Sequence, residues 1–381
     1  MKIILFDDKI NGHHLEYIHH FYEVAVLNPE NQFVFVLPDE FLDVRSKFLW
    51  EEVKNITFDL FPKEIVSYPE GTFWRSINKS IGISKLVNLY CRKHNADTVF
   101  MNTIISLIPA SVFCITSKVK ISGIIYQIYL YRDHKSSLQV KLFDRLKYLI
   151  LSKNRMFENI FILNDETSAN KLNDIYKSRK FLYLSDPYIK LTVDDIDIRS
   201  TYKIPNSHKL FIHIGALERR KGTLQILNSI INLPLNERDK YTFFFAGKVD
   251  NEIRTEFYNL VNRIKDVNII VRDEFCSYGF FASLCKEADA ILMPYLIDSA
   301  SSGIIGYASQ FKVPVIATST GLIGELVKRY KLGYLLPSIN QDCLIQSYRC
   351  VHENSISRPD NTYCESHSVD NFKKIISDVL F

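Results

Sequence analysis

The sequence predicts an α/β protein made of two doubly wound domains in tandem that face each other across a cleft. Three observations carry that prediction. The chain has 381 residues, too many for one typical domain and enough for two that each bury a core. Short runs of Ile, Val, Phe and Leu alternate with helix-length amphipathic stretches, the punctuation of βαβ units. Near the middle that alternation breaks off and then starts again. Hydrophobic residues make up 47% and charged residues 24%, the balance of a folded rather than a disordered chain.

In the first half the expected strands cover residues 2–6, 32–37, 56–60, 98–101, 120–126, 159–163 and 180–184. Several are unbroken apolar runs, as for parallel strands covered on both faces. Helices are expected at 73–94 and 136–153. Pro187, the acidic Asp194, Asp195 and Asp197, and Pro205 then interrupt any regular element, so residues 186–206 read as a linker. The alternation resumes with strands at 209–214, 241–246, 268–271, 290–293 and 314–317. Between them lie helices at 252–264, 278–287 and 321–330, and others starting near Gly222 and Gly303.

Bulk properties exclude several classes. Lys and Arg exceed Asp and Glu by 47 to 43, a net charge of +4, too little for a nucleic-acid binder. The seven cysteines (Cys91, Cys114, Cys276, Cys285, Cys343, Cys350 and Cys364) form no CxxC spacing and read as free thiols in a reducing compartment. The apolar run at 2–6 meets Asp7 and Asp8 too soon for a signal peptide. No stretch of eighteen apolar residues follows. The expected location is cytoplasmic, with peripheral contact on the inner membrane face as an extension.

Chemistry concentrates in the second half. The apolar run at 290–293 ends at Pro294 and Tyr295, and a small-residue loop, Ser299-Ala-Ser301-Ser302-Gly303, leads into a helix. Small residues admit a ligand to the backbone, and a first helical turn offers unpaired N–H groups to a diphosphate. The alternative is an ordinary Ser cap followed by a packing glycine. Upstream, His213-Ile-Gly215-Ala-Leu-Glu-Arg219-Arg220-Lys221-Gly222 sets a glycine turn and three cations just before a helix. Cations at a helix N-terminus oppose its dipole unless an anion lies between them.

The stretch 288–337 resembles the donor-binding region of the retaining family 4 glycosyltransferases, whose GT-B fold is two Rossmann-like domains facing a cleft. The matching residues are Pro294-Tyr295, Val313-Pro-Val-Ile-Ala317, Gly321-Leu-Ile-Gly-Glu325 and the run from Gly333, together with Lys221-Gly222. Phe243-Phe-Phe-Ala-Gly247 is similar to the strand beneath the donor, and 271–275, ending at Phe275, to the loop that reads the nucleobase. The family's paired glutamates fall on Ser299 and Tyr307, and its diphosphate arginine falls on Ala216, leaving Arg219 or Arg220 to supply that charge. The resemblance implies a nucleotide-sugar donor, with no metal and no further cofactor. It also implies front-face retention, with Lys221, a neighbouring Arg and the amides of Ser301–Gly303 stabilising the departing diphosphate. The final helix, 366–381, is expected to cross back from a C-terminal domain (189–365) onto an N-terminal one (1–188).

In the first half, Gly12-His13-His14 with Tyr17 matches a Gly-His-His-x-x-Tyr loop of related transferases. His13 or His14 would position an acceptor or donate to the leaving phosphate. Tyr126, Gln127 and Arg132 are the acceptor-side candidates at a strand end. His13, His14, His19 and His20 show no carboxylate or cysteine at ligand spacing, so no metal is expected, and Asp195-Ile-Asp197 reads as solvated surface. Basic and aromatic residues interleave at 132–155, a surface suited to anionic lipid. The acceptor would be a glycan or a polyprenyl-linked glycan of bacterial surface polysaccharide synthesis. The competing readings are an inverting transferase or sugar-nucleotide epimerase with a His base, and a catalytically silent binding protein.

Overall fold

The computed structural model describes residues 1–11, 13–66, 73–131, 137–297 and 301–381, the side chains at 13, 73–75 and 131 apart. The chain divides into two units, Met1–Asp186 with Val369–Phe381, and Pro187–Ser368. The expected boundaries lay after residues 188 and 365.

The first unit holds strands β1 (Lys2–Phe6), β2 (Gln32–Pro38), β3 (Ile56–Phe61), β4 (Thr98–Met101), β5 (Lys120–Ile125), β6 (Phe157–Leu163) and β7 (Phe181–Leu184). They form a parallel sheet in the order β3-β2-β1-β4-β5-β6-β7. Successive side chains of one strand enter opposite cores. Ile4, Phe6, Val34 and Val36 pack on one face, against Ile83 and Val87 of helix Phe73–His94. Ile3, Leu5, Phe33 and Phe35 pack on the other, against Ile18 of helix His13–Leu27. That two-sided covering is why these strands are apolar throughout.

The last helix, Val369–Leu380, belongs to this first unit. Phe372 and Ile376 are fully buried in its core, and Phe372 meets the rings of Tyr17 and Phe21 edge-on at 5.6 and 5.7 Å. Burying two such side chains contributes about 1.5–3 kcal/mol each.

The second unit repeats the plan with β8 (Lys209–Ile214), β9 (Tyr241–Ala246), β10 (Asn268–Arg272), β11 (Ala290–Met293), β12 (Val315–Thr318) and β13 (Gly333–Leu336), in the parallel order β10-β9-β8-β11-β12-β13. The supposed linker is part of this unit. The Leu191 N–H and C=O both bond the Gln310 side chain, at 2.9 and 2.7 Å. Asp197 caps the short helix Ile198–Thr201, and Glu287 accepts from the backbone of Ile198 and Arg199. Acidic texture here marks a capped connection rather than a free tether.

In each sheet the chain winds outward from a central strand and then returns to that strand's other side. The reversals fall between β1 and β4, and between β8 and β11. Ligands of doubly wound folds bind outside the carboxyl ends of strands at such points.

Candidate active site

In the second unit the reversal is built from the loops after β8 and β11. Gly215 follows β8 at φ +87, and a Cβ there would stand 3.1 Å from the Lys221 Nζ. Gly222, at φ +73, ends a short 3-10 turn of Arg219–Lys221 and precedes helix Thr223–Ile231. The Arg220 carbonyl accepts from the Leu296 N–H at 2.8 Å, so the two loops are tied together. The Lys221 Nζ lies 5.9 Å from the centroid of the buried Tyr295 ring, whose hydroxyl is 3.3 Å from the Ser302 Oγ.

Burial pushes the Lys221 ammonium down to about 8, the neighbouring Arg220 acts in the same direction, and Glu218 opposes both. Among the described residues no carboxylate comes within ion-pair distance of it. A largely desolvated cation at a strand-end reversal is a candidate receptor for an anion. Arg220 pairs with Glu218 at 2.5 Å and remains half-exposed beside this point. Arg219 is turned to the opposite side, to Glu252 at 2.7 Å and Glu256 at 3.1 Å, so Arg220 is the arginine placed to share the anion.

The remaining donor-side candidates are distributed as follows. Helix Ile304–Gln310 begins after Gly303, and Tyr307 is buried within it, edge-on to Tyr278. Ser301 and Ser302 are half-buried. Phe275, in the loop after β10, is 95% exposed, a ring presented to solvent. Ser299 and Gly12 lie outside the described residues, as do Arg132 and the side chain of His13.

In the first unit the ends of β1, β4 and β5 converge on a hydrogen-bonded chain. His14 Nδ1 is 2.8 Å from the Asp7 Oδ2. The Asn102 amide donates to the same oxygen at 2.5 Å, and its carbonyl accepts from the Tyr126 hydroxyl at 2.7 Å. Asp7 is fully buried; burial raises its pKa, and the bond from His14 counters that shift. An ionised Asp7 would accept from a protonated His14 Nδ1, the tautomer in which the other imidazole nitrogen, Nε2, is an acceptor. Tyr126 is held neutral by burial, and Gln127 beside it is exposed. Asp7 and Asn102 escaped the sequence reading. The one signal for Asp7 was an acidic residue directly after a buried apolar strand.

One expectation about the histidines needs correction. Glu23 does lie at ligand spacing, because the ligand atoms of His19, His20 and Glu23 all fall within 4.8 Å of one another. Lys373 approaches Glu23 at 3.8 Å, and the His19 ring is stacked on Phe48 at 4.6 Å. Lys79 of helix Phe73–His94 pairs with the buried Asp8 at 2.6 Å.

The sequence of residues 194–362 matches the family model of glycosyl transferases group 1. The C-terminal unit is a group 1 glycosyltransferase domain. Solved structures agree along the whole chain. Alr3699/HepE of Anabaena, in complex with UDP-glucose, superposes with a TM-score of 0.68 at 14% identity, covering 100% of this chain and 99% of its own. WaaG, a glycosyltransferase involved in lipopolysaccharide biosynthesis, gives 0.61 at 13% identity, covering 99% and 95%. The UDP-GlcNAc 2-epimerase from Neisseria meningitidis gives 0.57 at 15%, covering 100% and 99%. At such identities the likeness concerns the fold, which is the GT-B fold. No curated protein sequence matches the chain significantly.

Proposed function

We propose that this glycosyltransferase moves a sugar from a nucleoside-diphosphate sugar to a glycan or polyprenyl-linked acceptor, with retention, in the assembly of a bacterial surface polysaccharide on the cytoplasmic face. The observation that carries the donor reading is the half-buried Lys221 ammonium at the β8/β11 reversal, with no carboxylate among the described residues within ion-pair distance. A diphosphate there would restore the charge balance that burial upsets, and it would gain most as negative charge grows on the leaving group. Arg220 and the loop of Ser301, Ser302 and Gly303 complete the phosphate side. Tyr307 replaces a carboxylate by a phenol that can bond a hydroxyl, and Phe275 offers a face to the base. UDP-sugars are the first donors to try, because Alr3699/HepE was solved with UDP-glucose.

The test is a melting-temperature screen with UDP-, GDP-, ADP- and CDP-sugars on the wild type and Lys221→Ala, followed by mass-spectrometric detection of donor hydrolysis or transfer. One donor should raise the wild-type melting temperature and leave the variant unmoved. Near-normal turnover by a folded Lys221→Ala would remove the phosphate site. A chain that responds to no donor would favour the silent binding protein.

One observation favours a second reading. The His14–Asp7 pair, with Nε2 left as acceptor, has the arrangement of a general base and its orienting carboxylate. That chemistry belongs to an inverting transferase or an epimerase. The anomeric configuration of the product, read by NMR, separates the two.

A further inference from the structure

Helix Leu138–Lys153 buries one face and leaves the opposite one without cover. Inward it places Asp144, Tyr148, Leu151 and Ser152. A solvated outer face would carry polar residues. Here it carries Leu138 and Leu142, 84% and 70% exposed, followed by the exposed Leu146 and Leu149, at the spacing of one continuous stripe. The stripe runs beside a groove of about 500 Å³ lined by Leu142, Leu146, Leu149, Tyr129 and Ile175. Exposed cations border it: Arg145 within the groove, Lys153 at the end of the helix, and Lys171 and Lys177 on the adjoining helix and its cap, with Asp174 the acidic residue among them. The Lys153 Nζ donates to the Lys177 backbone carbonyl at 3.3 Å, which ties the end of this helix to the cap of the adjoining one.

We infer that this face docks the protein on an anionic membrane surface, with the leucines entering the headgroup boundary and the cations lying among the lipid phosphates. Charge decides between occupants. Two-fold pairing with a second copy would lay the patch of Arg145, Lys153 and Lys177 on the same cationic patch of the partner, whereas an anionic bilayer neutralises them and also accepts leucine. Long cationic side chains beside an apolar stripe can lay their stems along it while their heads stay wet. The inference is independent of the donor chemistry proposed above, because it concerns a different face of the first unit.

Cosedimentation of the full chain with vesicles tests it, using phosphatidylcholine alone and phosphatidylcholine with about one quarter phosphatidylglycerol. Binding is expected to the anionic vesicles only, and to weaken with added salt. Each cation lost from an anionic surface lowers partition about fivefold. Arg145→Glu with Lys153→Glu should therefore bind at least ~25-fold more weakly. Leu142→Asp with Leu146→Asp should lose at least about tenfold through the apolar contact, and the single Leu138→Ser, at a site with nothing to unfold, should lose severalfold. Cooperative melting of each variant checks its fold. Equal binding to neutral vesicles, or no loss in all three folded variants, overturns the inference. A lipid-independent dimer that the leucine variants dissociate would overturn it as well and assign the face to a second copy.

Discussion

Gly222 packs so tightly against Pro294 that a methyl group on its α-carbon would stand 2.1 Å from the proline carbonyl oxygen. The contact closes the turn after β8 against the loop after β11, and Lys221 is the residue immediately before it. Gly222 also sits at φ +73, where any side chain adds about 1–2 kcal/mol of strain. Gly222→Ala should therefore destabilise the second unit by more than about 2 kcal/mol and weaken donor binding by displacing Lys221. Denaturant unfolding and a donor titration measure the two effects. An alanine variant with unchanged midpoint and affinity would show that the turn and the loop are not locked together.

Lys221 gives a pH signature. Its ammonium titrates near 8 in the free protein, and a bound diphosphate favours the charged form. Donor affinity should be flat below that value and fall by up to about tenfold per pH unit above it. Stability runs the other way. The unfolded chain keeps this proton up to the ordinary lysine value of 10.5, so the stability attributable to Lys221 rises between about 8 and 10.5. Isothermal titration across that range, repeated with Lys221→Arg, checks the assignment. The arginine should flatten the profile, and a wild-type affinity independent of pH would exclude the ammonium from the donor site.

The proposed phosphate side could be assembled from the sequence because its parts are local. Arg219, Arg220, Lys221 and Gly222 are consecutive, and Pro294 and Tyr295 directly follow a buried apolar run. The choice between Arg219 and Arg220 was not legible, since it depends on Glu252 and Glu256, which lie 33 and 37 residues further on. The Asp7–Asn102–Tyr126 chain is harder still. Its members sit at the ends of three strands, and only the order β1-β4-β5 brings residues 95 apart in sequence within hydrogen-bond range. Strand β13 was missed because it begins with glycine, which strand composition disfavours.

The first-unit network predicts a charge-specific defect. Asp7→Asn keeps the shape beside His14 but replaces a carboxylate acceptor by an amide, so the imidazole loses the partner that fixes its tautomer. If His14 acts on an acceptor hydroxyl, kcat should fall by about 10²–10⁴ while donor KM changes little. His14→Ala should fall by a similar factor, and the double variant by little more than either single one. Steady-state kinetics at saturating donor test this. Full additivity of the two losses would show that the residues act separately.

Acid stability supplies a test that needs no substrate. His213 is fully enclosed in the second unit, with Nδ1 2.9 Å from the Leu292 carbonyl and Nε2 3.0 Å from the Thr223 hydroxyl. His367, in the same unit, stacks on Tyr363 at 3.8 Å. Burial pushes each from an ordinary 6.5 down to about 4. A depressed histidine leaves stability intact above 6.5; the unfolded chain then gains protons as the pH falls toward 4, and stability drops. Each contributes up to about 1.4 kcal/mol per pH unit in that window. His213→Phe would strand the Leu292 carbonyl, which costs about 1–3 kcal/mol. His367→Phe is the cleaner probe because a phenyl ring can keep the stack on Tyr363. Its unfolding free energy should fall less steeply between pH 6.5 and 4 than the wild type's, by about one proton's slope. Superimposable slopes for the two proteins would mean that His367 is already charged when folded, and that the buried-imidazole account of this unit's acid sensitivity is wrong.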